Sequence, residues 1–130
     1  MDREARRRVL VVDDDPFIGE LIRTLVRDEG GEIVQATRWG EIRQSLTEAP
    51  PSLIILDLLI PEDGIQLLRH LKSDANTRGI PVIVLTGRTD AREMALGAGA
   101  TMFLSKPFEI DEMADAIRQF LCQAEIGGNH

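Results

Sequence analysis

The stretch RVLVVDDDP, residues 8–16, joins a valine-rich run to three adjacent aspartates and a proline. A short segment that is apolar at successive positions, rather than alternate ones, is the pattern of a strand buried on both faces, as in the middle of a parallel sheet. The aspartates begin where such a strand would end, and like charges packed together there repel one another. SLIILD at 52–57 has the same character and also ends in aspartate, while IPVIVLT at 80–86 ends in threonine. EIVQA at 32–36 and TMFLS at 101–105 are shorter strand candidates.

Between these segments the apolar spacing becomes helical. PFIGELIRTLVRDEG, 16–30, is apolar at 17, 18, 21, 22, 25 and 26, with Pro16 suited to a first helical position and Gly30-Gly31 as the stop. WGEIRQSLTEA (39–49), GIQLLRHLKSD (64–74), AREMALGAG (91–99) and EIDEMADAIRQFLCQA (109–124) provide four further helices. Strict alternation of strand and helix specifies an α/β fold: a doubly wound, five-stranded parallel sheet flanked by five helices. Right-handed crossovers leave only a few topologies open to it. The 130 residues are expected to form a single domain.

The totals exclude several function classes. With 22 acids against 15 bases the net charge is -7, the wrong sign for a nucleic-acid surface. The basic cluster Arg6–Arg8 is short and is read as a solvated lead into the first strand. Tyrosine is absent and Trp39, near the start of the second helix, is read as a packing residue, so base stacking has little support. One cysteine, Cys122, rules out a disulfide within the chain and fits a reducing compartment. No apolar run approaches the roughly 18 residues that span a bilayer, and MDREARRR lacks the apolar core of a secretory signal. The expected setting is the cytoplasm, without membrane or direct nucleic-acid partners.

In open parallel sheets, ligands bind beyond the carboxyl ends of the strands. Those ends carry Asp13, Asp14 and Asp15 on the first strand, Asp57 on the third, Thr86 on the fourth, and Ser105 with Lys106-Pro107 on the fifth. Hard oxygen ligands beside a cation suit Mg²⁺, and a bound cation offsets the repulsion within the cluster. Asp13 and Asp14 are the expected metal ligands, because neighbours can act together. Asp57, alone at its strand end, is the expected nucleophile toward phosphorus. Lys106 would neutralise transferring oxygens and Thr86 would hydrogen-bond one of them. Helix capping explains Asp15 before Pro16, but not the whole set. His70 and His130 lie far apart, so zinc has no support, and His70 is read as an exposed or partly packed helix residue.

With these residues in view, the sequence resembles the receiver domain of two-component response regulators, a flavodoxin-like (βα)5 fold, over about residues 7–122, with 123–130 as a C-terminal tail. VLVVDDDP resembles the family's acidic-pair strand, LIILDLLIP its phosphoacceptor strand and loop, VIVLTG its switch-hydroxyl strand, and MFLSKPF its aromatic and lysine strand. The resemblance implies that Asp13, Asp14 and Asp57 are metal ligands together with the backbone carbonyl of Leu59, and that Asp57 is phosphorylated. It places Thr86 in the switch-hydroxyl role, Lys106 as charge partner of the phosphate, and a cis peptide before Pro107. Phe103 stands at the aromatic switch position, though it reads equally as a core aromatic. Arg88 and Leu59 would flank the phosphoryl group and tune its loss. The implied donor is a sensor histidine kinase or a histidine phosphotransfer protein. The implied output is a downstream protein or a homodimer through the face of the fourth helix, fifth strand and fifth helix. Such a domain catalyses its own phosphorylation and is not an enzyme toward other substrates.

Two departures stand out. PEDG at 61–64 has one residue between proline and aspartate where the family commonly has two, and the span from Thr86 to Lys106 is about two residues short. Gly87 stands where the family often has alanine. A Mg²⁺-dependent aspartate-nucleophile phosphatase uses similar residues, but carries Asp-x-Asp after its first strand and needs a cap that 130 residues cannot supply. A receiver-like domain that is never phosphorylated would not need the complete set. A nucleotide-binding domain would have its glycines after a strand, whereas GAGA at 97–100 precedes one.

Overall fold

The computed structural model describes residues 7–58, 60 and 63–127. Strands β1 (Arg8–Val12), β2 (Glu32–Ala36), β3 (Leu53–Asp57), β4 (Val82–Thr86) and β5 (Met102–Ser105) alternate with helices. The helices are α1 (Pro16–Asp28), α2 (Trp39–Glu48), α3 (Gly64–Ser73), α4 (Arg92–Gly97) and α5 (Ile110–Gly127). A 3₁₀ turn, Thr89–Ala91, leads into α4, which is only 6 residues long. The final helix runs on through Gly127, past the end at 124 that the apolar spacing suggests.

Every strand pair is parallel, in the order β2-β1-β3-β4-β5. The chain starts in the sheet at β1, steps out to β2, then crosses back to β3. The order therefore reverses between β1 and β3, which is where the ligand crevice of such sheets lies. Val12 pairs with Leu56, so Asp13 and Asp57 come next on adjacent strands. On the other side Asp57 pairs with Leu85, and Thr86 pairs with Ser105.

The continuous apolar runs now have a cause. Val9, Val11, Leu53, Ile55, Ile83 and Leu85 pack with Ile22 and Val26 of α1 and Met113, Ile117 and Phe120 of α5. Their neighbours Leu10, Val12, Ile54, Leu56, Val82 and Val84 pack with Ile42 of α2, Leu67, Leu68 and Leu71 of α3, and Ala95 of α4. Successive side chains thus enter opposite cores, and each buried aliphatic contributes about 1.5–3 kcal/mol. Edge strand β2 needs less apolar character: Glu32 is exposed and pairs with Arg8 across the ladder at 3.2 Å.

Local chemistry sets the helix starts near the crevice. The Asp15 carboxylate accepts the Phe17 N–H at 2.9 Å and caps α1. The Asp63 carboxylate accepts the N–H groups of Ile65 and Gln66 at 3.0 and 3.2 Å and caps α3. Gly64 follows directly. A Cβ there would lie 2.7 Å from Leu58 Cα and 2.9 Å from its carbonyl oxygen. This close approach requires glycine and holds the start of α3 against the chain leaving Asp57. We predict that Gly64→Ala lowers stability by about 1–3 kcal/mol in urea denaturation, because backbone must move. Gly97→Ala, where nothing lies within 4 Å, should instead be neutral or gain about 0.5 kcal/mol. Equal effects at the two positions would contradict this reading.

Candidate functional site

The carboxyl edge of the sheet gathers side chains from loops far apart in sequence. Asp13, just beyond β1, is wholly buried, and Asp57, the last residue of β3, is 4% exposed. Asp14 turns outward into solvent. One carboxylate oxygen from each of the three lies within 4.8 Å of the others. The Lys106 ammonium donates to Asp13 Oδ2 and to Asp57 Oδ2, each at 3.0 Å. Lys106 is held by its own backbone, whose N–H donates to the Thr86 carbonyl at 2.9 Å, and the Lys106–Pro107 peptide is cis.

Burial dominates the electrostatics of Asp13, raising its pKa. The Asp15 N–H, at 2.8 Å from Asp13 Oδ1, and Lys106 oppose that shift without cancelling it. For Lys106, burial acts to lower the pKa, but the Asp57 and Asp13 carboxylates outweigh it and hold the ammonium above its ordinary range. Three carboxylates therefore face one ammonium, and the site keeps a surplus of negative charge.

That donor set fits a hard divalent cation. All three groups offer carboxylate oxygen, and among the described residues neither histidine nor cysteine joins them. Oxygens on opposite sides of an octahedral Mg²⁺ stand roughly 4.2 Å apart. A set already within 4.8 Å is close to that spacing. The backbone carbonyl of Leu59 lies outside the described residues, as do Pro61 and Glu62 of the shortened loop.

Thr86 is fully buried, and its hydroxyl oxygen accepts the Arg88 N–H at 3.2 Å. The Arg88 guanidinium turns away to pair with Asp90 at 3.3 Å. Phe103 is 9% exposed and packs into the core shared with α2, α3 and α4. The Arg92 guanidinium lies 6.0 Å from its ring centroid. His70 is exposed, with its ring edge-on to Trp39. At Gly87 an added Cβ would meet only the Lys106 carbonyl, at 3.9 Å, so alanine would fit there.

One contributor escapes sequence reasoning. The Gln35 amide donates to the Asp13 carbonyl at 3.1 Å and pins the acidic loop to β2. A Cβ on Gly19 would come within 2.6 Å of that same amide. The available signal was Gly19 itself, since glycine inside a helix costs about 1 kcal/mol and usually has a packing reason.

Comparison with known proteins agrees with this geometry. The profile of the response regulator receiver domain family matches residues 9–118. The chain is 34% identical over 123 residues to the DNA-binding response regulator MtrA of Mycolicibacterium smegmatis, covering 92% of this chain and 53% of MtrA. It spans about half the length of the curated relatives it matches. A putative response regulator from Chloroflexus aurantiacus has a TM-score of 0.81 at 30% identity, over 90% of this chain and 98% of that one. The receiver domain of the sensor histidine kinase PA1611 from Pseudomonas aeruginosa, crystallised with a magnesium ion coordinated in its active site cleft, has a TM-score of 0.77 at 25% identity, over 90% and 98%.

The raised Asp13 pKa makes stability depend on pH. As pH rises from the ordinary aspartate value through the higher folded value, the unfolded chain loses its proton first, so stability declines across that window. Asp13→Asn removes this buried charge while keeping an oxygen for the Asp15 N–H. Its stability at neutral pH is expected to be unchanged or raised by about 1 kcal/mol. The stabilisation gained on adding Mg²⁺ should shrink. Urea titrations with and without Mg²⁺ measure both; a clear loss of stability with intact Mg²⁺ response would contradict the assignment.

Proposed function

Because the chain belongs to the response regulator receiver domain family, whose members are phosphorylation-controlled switches, we propose that Asp57 is its phosphoacceptor and that Asp13, Asp14 and Asp57 hold Mg²⁺ beside it. The observation that carries this reading is the Lys106 ammonium bridging two buried carboxylates, with a third acid at the rim. A purely structural ion pair needs one carboxylate per lysine. The excess acid costs stability unless a cation enters.

The Asp57 carboxylate oxygen attacks the phosphorus of a phosphorylated donor. A P–O bond to Asp57 forms as the bond from phosphorus to the donor's leaving group breaks. A histidine kinase or histidine phosphotransfer protein is the proposed donor, with an imidazole nitrogen as leaving group. Lys106 already lies 3.0 Å from Asp57 and moves from its carboxylate to a phosphoryl oxygen. Asp13 keeps part of that ammonium in place. When bound, Mg²⁺ supplies further positive charge against the phosphoryl oxygens. The Leu59 carbonyl is proposed as an additional ligand.

Thr86 provides the link to output. Its oxygen accepts from Arg88, which leaves its own hydrogen to donate to a phosphoryl oxygen. That movement draws on the turn before α4. Phe103 packs beneath Arg92 on that helix and is the proposed second switch residue. The face of α4, β5 and α5 then presents two arrangements to a downstream protein or a second copy. Arg88, beside the phosphoryl position, is proposed to tune loss of the phosphate. The chain acts as a signalling switch, and catalysis is proposed only of its own phosphorylation and dephosphorylation.

Incubation with acetyl phosphate and Mg²⁺, followed by intact mass measurement, tests this proposal. The expected result is a gain of one phosphoryl group, lost in Asp57→Asn and on removal of Mg²⁺ with chelator. An adduct that survives Asp57→Asn would overturn it.

A further inference from the structure

A second feature lies apart from the acidic edge and shares no residue with it. The groove between α2 and α3 encloses about 400 Å³, within the range of small-molecule clefts. Part of its wall is hydrocarbon, from buried Ile42, Leu67 and Leu71 and half-buried Leu46, beside the polar side chains of Thr47, Asn76 and Thr77. Its mouth carries Trp39, Arg43 and His70. The His70 ring meets Trp39 edge-on, with centroids 5.4 Å apart and planes at 81°. The Arg43 guanidinium lies over the Trp39 ring, 5.7 Å from its centroid.

The charge at this mouth is unusual for the molecule. The chain carries -7 overall, yet Arg43 takes part in no ion pair among the described residues. Asp74 is the one carboxylate lining the groove, and it already accepts the Asn76 N–H at 2.8 Å. A guanidinium resting on an aromatic face keeps its planar donors available for a carboxylate. An apolar recess ending in such a cation complements an apolar body with one anionic end.

We propose that the groove between α2 and α3 binds small aryl carboxylates, the ring lodged against Trp39 and Leu46 and the carboxylate paired with Arg43. Binding in this groove does not require phosphorylation at Asp57. Binding in the micromolar-to-millimolar range is what so small a ligand can reach.

Trp39 is the sole tryptophan and there is no tyrosine, so intrinsic fluorescence reports on this groove directly. The probe is phenylacetate, with uncharged 2-phenylethanol as its control, titrated into the full chain. Backbone amide NMR shifts locate the binding. The expected result is a saturable fluorescence change with phenylacetate, amide shifts concentrated in α2 and α3, and weaker binding of the alcohol. Arg43 is exposed, so Arg43→Gln should leave the fold intact while weakening phenylacetate binding about tenfold or more. No saturable change, equal binding of acid and alcohol, or an unaffected Arg43→Gln variant overturns the proposal. So does quenching by an acidic peptide with none by phenylacetate, which would point to a protein partner instead.

Discussion

The Lys106 ammonium, 3.0 Å from both Asp13 and Asp57, is the contact around which the carboxyl edge is organised. Two buried carboxylates on adjacent strands would repel strongly in a medium of low dielectric. Lys106 allows them to coexist, yet it comes from the far edge of the sheet. Neighbouring strands stand about 4.8 Å apart, so β3 is roughly 10 Å from β5. The side chain must cross the end of β4. Lysine has the stem for that crossing, and the residue ending β4, Thr86, is small enough to lie beneath it. The strand order β2-β1-β3-β4-β5 and the register of β3 on β4 therefore bear directly on the chemistry.

The contact is adequate but incomplete. One ammonium faces three carboxylates, and burial still pushes Asp13 toward its neutral form. A sequence selected for stability alone would replace one of these acids. Retaining them suits the proposed role, in which the site accepts a cation and then a phosphoryl group. The same economy explains why Thr86, fully buried, carries a hydroxyl rather than valine's methyl. The Arg88 N–H occupies the hydroxyl's oxygen and not its hydrogen.

Much of this was legible in the chain. VLVV, LIIL and VIVL read as strands because each residue faces one of two cores, and the helical stripes between them required a parallel sheet. Since such sheets bind ligands at strand carboxyl ends, Asp13, Asp57, Thr86 and Lys106 could be brought together on paper. The division of labour between Asp13 and Asp14 could not. Two consecutive residues leave a strand in different directions, and only the turn held by the Asp15 N–H makes one buried and the other exposed. Gln35 and Gly64 were equally hidden, because one acts through a side-chain amide on the Asp13 carbonyl and the other through a close approach to the Leu58 backbone, and neither contact exists until the chain has folded. Trp39 read as packing, and it does pack against the core; Arg43 reaches it from one turn along the same helix, but the edge-on contact of Trp39 with His70 depends on how α2 lies beside α3.

Asp57 is proposed as the reactive group of a site completed by Asp13, Asp14, Thr86 and Lys106. Beryllofluoride, which mimics a phosphoryl group on a carboxylate, tests this most directly when added with Mg²⁺ and followed by backbone amide NMR. The expected result is a stoichiometric complex that requires both reagents. Amide shifts should centre on Asp57, Thr86 and Lys106 and extend into α4, and all should vanish in Asp57→Asn. Absence of a complex in the wild-type chain, or shifts that persist in Asp57→Asn, would contradict it.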